Sequence, residues 1–242
     1  MLKPVFLLSA SILVLPLFLT HAKAQNLEPQ NKPSLDQRID GPKRGNLTSA
    51  FDEKHKTCLE RIAENSDLAY EEAMIWRSEG GGRRAKHCEA MALFALGHAD
   101  EAAHRLDQLA QASDGGSPEM RANFYLEASN FWLAAENSYK AYASAKAGLD
   151  IDETRTDLRI ARARAYVMRE RYEYAETDLT YALKFEPQNV AALRYRADAR
   201  FRQNKFDAAL KDIELALTLA PESVETALLR GRIKEARRGA SN

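Results

Sequence analysis

Cys58 and Cys88 are the only cysteines in the 242-residue sequence, and each has a histidine beside it: His55 lies three residues before the first and His87 immediately before the second. Thiols and imidazoles so placed support two chemistries, a covalent cross-link or a metal centre. Neighbouring helical residues point about 100° apart, so His87 and Cys88 can hardly reach one ion together, and zinc is disfavoured. A disulfide is the natural reading, with two buried free thiols as the alternative. Closing a loop of about 30 residues would contribute on the order of 3 to 4 kcal/mol in the chain-entropy model. The run Gly80-Gly81-Gly82 before Arg83-Arg84 is a second candidate, since glycine amides at a helix N-terminus can hold anions. The phosphate-loop pattern needs a Gly-Lys-Ser/Thr end, which is missing, so the run reads as a helix stop and turn, with Trp76 as core packing. His55, His87, His98 and His104 come with no nucleophile or zincin motif, and the carboxylates are interleaved with Lys and Arg as on a solvated surface. Neither catalysis nor a cofactor is expected.

The elements that position these groups are repeats. Pro187 and Pro221 sit 34 residues apart, and laying Thr156 to Asn189 over Val190 to Ser223 without a gap also pairs Arg162 with Arg196, Ala163 with Ala197, Ala165 with Ala199, Ala175 with Ala209, Asp178 with Asp212, Ala182 with Ala216 and Leu183 with Leu217. Those eight identities compare with roughly two expected by chance. From Phe51 onward the apolar period predicts helices in antiparallel pairs: Phe51 to Glu64 with Asp67 to Ser78, Arg83 to Leu96 with Ala99 to Ala112, Pro118 to Leu133 with Asn137 to Leu149, Arg155 to Met168 with Tyr172 to Phe185, and Val190 to Arg202 with Phe206 to Leu219. A last helix, Glu222 to Arg238, should cover the apolar end of the stack with Val224, Leu228 and Ile233 and turn Arg230, Lys234, Arg237 and Arg238 to water.

The small residues carry a family resemblance. Ala163 precedes Tyr166 by three positions, Ala175, Leu179 and Ala182 follow in the second helix, and Pro187 closes the unit; the next copy has Ala197, Ala209, Ile213, Ala216 and Pro221, with Arg200 where the large residue is expected. This pattern resembles the tetratricopeptide repeat. Ser129, Trp132, Ala141, Ala145, Gly148 and Leu149 mark a preceding copy, with Glu153 in place of proline, and Ala90, Leu93, Gly97, Ala102, Leu106 and Leu109 another, followed by a loop at Ser113 to Ser117. The resemblance spans roughly residues 54 to 238 and is strong over 122 to 223. It implies an all-α, right-handed superhelical solenoid of four to five repeats plus a C-terminal capping helix, with degenerate N-terminal repeats over 51–121, clear repeats over 122–223, and the capping helix and tail over 224–242.

In this family the first helix of each repeat lines the inner surface, where a partner protein or peptide would be read. Residues 34 apart then form lines: Asn130, Arg164 and Asp198; Leu126, Ile160 and Arg194; Ala134, Met168 and Arg202; Leu133, Val167 and Phe201. The surface would be apolar at one end and Arg-rich at the other, suited to an extended peptide with a hydrophobic and an acidic part. Asn130, Arg164, Arg194, Asp198 and Arg202 are the candidate polar readers and Phe201 an apolar contact. The family's set of Lys, Asn and Arg for gripping a terminal carboxylate is not found, which disfavours a chaperone-tail clamp.

Lys3, the apolar run from Val5 to Leu19 and Ala22-Lys23-Ala24 read as a secretory signal peptide, 1–24, cut before Gln25. The run falls short of the roughly 20 residues of a spanning helix and Pro16 interrupts it, so no stable membrane insertion is expected after cleavage. Residues 25–50, with Pro29, Pro33, Gly41, Pro42 and Gly45, read as a disordered tail. Asn46-Leu47-Thr48 matches a glycosylation sequon too common to weigh. Without the leader the chain has 33 basic and 35 acidic side chains, a balance that predicts no attraction to nucleic acid. Residues 25–153 carry 15 basic and 22 acidic groups and residues 154–242 carry 18 and 13, so the array is bipolar, through composition drift or as a docking polarity. Together these point to an exported protein of a bacterial periplasm, acting as a scaffold or adaptor, with a self-associating structural component of the envelope as the alternative.

Overall fold

A computed structural model describes residues 44–240, with side chains from Asp52. The expected leader, most of the expected tail and the last two residues lie outside that range. Among the described residues there are eleven α-helices and no strand: α1 (Arg44–Glu64), α2 (Ser66–Ser78), α3 (Gly82–Ala95), α4 (Ala99–Gln111), α5 (Pro118–Ala134), α6 (Ser138–Ile151), α7 (Thr156–Met168), α8 (Tyr172–Phe185), α9 (Val190–Arg202), α10 (Phe206–Leu219) and α11 (Val224–Ala240). None is long and apolar enough to cross a membrane. Consecutive helices pack as antiparallel pairs, and odd-numbered helices also touch, α1 on α3, α5 on α7, α7 on α9 and α9 on α11. The result is a solenoid of helix pairs, as the family resemblance implies. One boundary differs from expectation, because α1 begins at Arg44, inside the stretch expected to be tail. The prolines end at Pro42, and adding turns to a helix already docked costs far less than nucleating one.

Side-chain volume sets the pairing distance. Ala163, Ala175, Ala182, Ala197, Ala209 and Ala216 are all without solvent exposure at the helix crossings. Where the repeat substitutes Ser129, its hydroxyl donates to the Ala141 carbonyl at 2.9 Å, so burial leaves no polar group unpaired. At Gly148 even a methyl is too large, since a Cβ would stand 2.7 Å from a Leu158 methyl. In the last four pairs the turn uses one left-handed residue, supplied by Gly97 (φ 90), Glu136 (φ 57), Glu170 (φ 58) and Asn204 (φ 58). Asn65, Ser117, Asn137 and Asn189 cap α2, α5, α6 and α9 through their side chains.

Two of the eight repeated identities form an ion pair. Arg162 grips Asp178 through two hydrogen bonds of 2.7 Å, and Arg196 grips Asp212 at 2.7 and 2.8 Å, each joining the two helices of one repeat. Both aspartates are only 4% exposed. Arg200, where the pattern calls for a bulky apolar residue, reaches Glu176 and Asp212 at 2.8 Å each. In the preceding repeat Tyr166 fills that place, with its ring 5.2 Å from Tyr142 and 5.4 Å from Tyr174. One expectation for α11 fails. Its buried stripe is Thr226, Leu229 and Ile233, packed with Leu210 and Ile213, whereas Val224 and Leu228 are 70% and 65% exposed. Spacing of three and four residues from Thr226 makes one face, and Val224 and Leu228 fall on the other.

Asp178→Ala or Asp212→Ala is expected to cost about 3 kcal/mol in urea unfolding, because each leaves a half-buried guanidinium without its partner; a cost below about 1 kcal/mol would mean that water already serves these pairs. A second test concerns acid. Burial opposes ionisation of Glu176, but hydrogen bonds from Lys205, Arg200 and Gln203 outweigh it and hold the carboxyl at about 2 instead of 4.5. The folded chain therefore binds fewer protons here than the unfolded chain, and this contribution is complete above pH 4.5 and disappears as pH falls towards 2. Glu176→Gln should flatten the fall in stability across that window by up to one proton, measured as unfolding free energy against pH.

Candidate functional site

The expected groove residues all lie on the odd-numbered helices α5, α7 and α9, which touch one another from pair to pair. Arg194, Asp198 and Arg202, four residues apart on α9, line one cleft of about 520 Å³ together with Tyr195 and with Glu225, Leu228, Leu229 and Arg232 of α11. Arg194 pairs with Glu225 at 2.8 Å and lies 4.5 Å from the centre of the Tyr195 ring. Arg202 pairs with Asp198 at 3.5 Å and sits over Tyr172 at 5.9 Å. Arg232 stands 5.5 Å over the ring of Phe201 and, among the described residues, has no carboxylate partner. The cleft thus gathers three guanidinium groups and two carboxylates around the exposed Leu228.

Three of the six groove candidates meet there and three do not. Asn130 and Arg164 lie farther along the inner face, where Asn130 accepts a hydrogen bond from Arg164 at 2.9 Å and the Arg164 guanidinium stands 5.5 Å from the Tyr195 ring centre. Phe201 is half-buried among Ala197, Leu210, Ile213 and Leu229, with Phe206 at 6.2 Å, so it serves the seam between α9, α10 and α11. Glu225, Leu228 and Arg232 are additions from the structure, because a helix expected to act only as a cap offers no reason to look for a groove on it. A signal was present, since the 34-residue lines Ile160, Arg194 and Arg164, Asp198 continue to Leu228 and Arg232.

A second concavity, of about 250 Å³, opens at the other end of the inner face between α1, α3 and α5, lined by Asp52, His55, Arg83, Arg84, His87, Met120, Asn123, Phe124 and Glu127. α3 and α5 approach each other less closely than the later odd-numbered neighbours do, and the connector before α5 is six residues, 112–117, where later repeats use four. Cys58 and Cys88 are joined in a disulfide that ties α1 to α3, with Cα atoms 6.3 Å apart. That bond brings His55 beside His87, Nε2 to Nδ1 at 2.9 Å, and His87 donates from Nε2 to Glu127 at 2.8 Å. Burial, then His87 and Arg84, push His55 down to about 4 against the opposing pull of Asp52 and Glu127. Arg84 is taken by Asp52 at 2.6 Å. Neighbouring Trp76 is buried, and a Cβ on Gly81 would stand 2.6 Å from its ring, while Gly80 (φ 90) and Gly82 (φ 58) adopt left-handed backbone. The glycine run is a turn moulded to a tryptophan.

No family model and no curated protein matches the sequence. Solved structures do resemble the fold. The first TPR domain of the human RPAP3 protein is 28% identical with a TM-score of 0.50, the match covering 52% of this chain and 98% of that domain. A thermophilic TPR protein of Thermus thermophilus is 16% identical with a TM-score of 0.58, over 74% of this chain and 98% of that one. YrrB, described as a TPR protein with an unusual peptide-binding site, is 13% identical with a TM-score of 0.52, over 77% and 88% of the two chains.

The chain has the fold of a tetratricopeptide-repeat solenoid.

Within this repeat fold the five helix pairs and α11 take distinct roles. Odd-numbered helices line both the α9–α11 cleft and the α1–α3–α5 concavity. The N-terminal pair departs most from the repeat pattern and is the one stapled covalently. Reducing the disulfide is expected to lower stability by on the order of 3 to 4 kcal/mol and to raise amide exchange in α1 before α7 to α10 respond; exchange that rises evenly along the solenoid would remove the staple from that local role.

Proposed function

We propose that this tetratricopeptide-repeat protein is a noncatalytic scaffold of the cell envelope that holds an extended segment of a partner protein along its concave face, with acidic side chains of the partner docked among Arg194, Arg202 and Arg232. The observation that carries this reading is the α9–α11 cleft, where cationic groups outnumber carboxylates and Arg232 rests on an aromatic ring. Glu225, with a largely exposed side chain, is a displaceable stand-in for an incoming carboxylate. A planar guanidinium binds a carboxylate through paired hydrogen bonds, and a partner's anion exchanges one such pair for another without stranding a charge. Leu228 offers apolar contact in the same cleft. YrrB, which shares the fold, is described as having a peptide-binding site, in keeping with a peptide as the occupant. Export is supported by the Lys3 to Ala24 leader pattern and by the Cys58–Cys88 bond, since such bonds persist in oxidising compartments.

The test is affinity capture from envelope extract on the mature chain, beside a variant carrying Arg194→Gln, Arg202→Gln and Arg232→Gln that keeps its helical circular dichroism. A partner held by the parent, released by moderate salt and lost by the variant is the expected result. Partners held equally by both proteins would move the binding face away from this cleft. Capture of the chain itself, with a doubled mass in light scattering, would favour a self-associating component instead.

A further inference from the structure

The N-terminal concavity holds a donor set that neither the packing of the repeats nor the α9–α11 cleft accounts for. His55 Nε2 and His87 Nδ1 face each other across 2.9 Å. On its far side His87 donates from Nε2 to Glu127 at 2.8 Å, and a carboxylate at that nitrogen leaves the lone pair of Nδ1 aimed at His55. One proton between the two nitrogens holds the pair together in the ion-free protein. With that proton moved to Nδ1 of His55, the two facing nitrogens offer lone pairs to a cation: two imidazoles bound at about 2.0 to 2.1 Å to a tetrahedral ion have nitrogens about 3.3 Å apart, a few tenths of an ångström beyond the present spacing.

The surroundings are built for such a site. The disulfide lies one turn from His55 and next to His87, so the two backbones that present the imidazoles are covalently fixed. His87 is 8% exposed and its ring lies 5.4 Å from that of Phe124, which leaves it little rotational freedom. The adjoining pocket has room for water on the open side. Its fixed charges balance, because Asp52 binds Arg84, Arg83 donates to the Asp114 carbonyl, and Glu127 adds a second negative charge. Among the described residues no three His, Cys, Asp or Glu side chains converge on one point, so two protein ligands and water are what the fold offers, and modest affinity follows.

We propose that His55 Nε2 and His87 Nδ1 bind a divalent first-row cation that prefers imidazole, zinc or copper(II), with water completing its shell and Glu127 as a positioning residue that orients His87. On binding, His55 would change tautomer, its proton moving from Nε2 to Nδ1, and the ion would link α1 to α3 at the same level as the disulfide.

The experiment is calorimetric titration of the disulfide-intact, chelator-stripped protein with zinc chloride and with copper(II) chloride. Uptake of one equivalent of at least one ion is expected, abolished by His55→Gln and by His87→Gln and weakened about 10- to 100-fold by Glu127→Gln. His104→Gln, on α4 beside Gln108, should leave uptake unchanged. Copper(II) would add a visible band with nitrogen-ligand character that His55→Gln removes. His55 is only half-buried, so its variant keeps the test valid even if His87→Gln fails to fold. No saturable uptake of either ion, or uptake that survives His55→Gln, overturns the proposal.

Discussion

The distance between the two helices of each repeat is the constraint on which the rest depends, and alanine sets it. Where Ala163, Ala175, Ala197 and Ala209 sit without exposure, the backbones approach so closely that a larger side chain would force the pair apart. That approach makes each pair a rigid unit, and rigid units stacked with the same offset leave their first helices side by side along one concave surface. It also decides where charge can be placed. Arg162 and Arg196 reach across their pairs to Asp178 and Asp212 because the helices are close enough for a bidentate grip.

Burial divides the arginines of the C-terminal half into two populations. Arg162, Arg196 and Arg200 point between helices, against aspartates nearly out of solvent, and their charge is spent on holding the repeat. Arg194, Arg202 and Arg232 point along the concave side, where their partners are an exposed glutamate, a neighbour on the same helix and an aromatic face. An ion pair open to water contributes little to stability, which leaves those guanidinium groups free to change partners. The positive excess of residues 154–242 is therefore partly architecture and partly surface.

The N-terminal repeats reach the same architecture with different forces. Their alanines are fewer at the α1–α2 crossing, and a disulfide, the nearly unexposed Glu89 between Arg77 and Arg105, and a tryptophan seated under Gly81 take over. Farther along, Asp107 draws hydrogen bonds of 2.7 Å from Trp132 and Ser144, tying α4 to α5 and α6, while burial still outweighs them and pushes its carboxyl up. Polar ties of this kind are specific in direction, and they join α3 to α2 and α4, and α4 to α5 and α6.

Much of this was legible in the residues themselves. A 34-residue period is a local property, repeated copy by copy, so helix limits such as Tyr172–Phe185, Val190–Arg202 and Phe206–Leu219 agree with the structure to the residue. That Arg194, Asp198 and Arg202 share one face of α9 follows from the same period, and the pairing of the only two cysteines required no geometry. Contacts between distant residues were a different matter. Arg162 with Asp178 and Arg196 with Asp212 showed only as identities, because nothing in a sequence says that residues 16 apart on two helices will touch. Phe201 and Leu228 exchanged their expected places, one into the seam and one into the open, since helical period assigns faces but not what covers them. The meeting of His55, His87 and Glu127 joins three helices spread over 73 positions of chain. Sequence determined the repeat and the faces of its helices because those depend on local periodicity; tertiary structure alone decided which charges and imidazoles meet, because that depends on the packing distance between helices far apart in the chain.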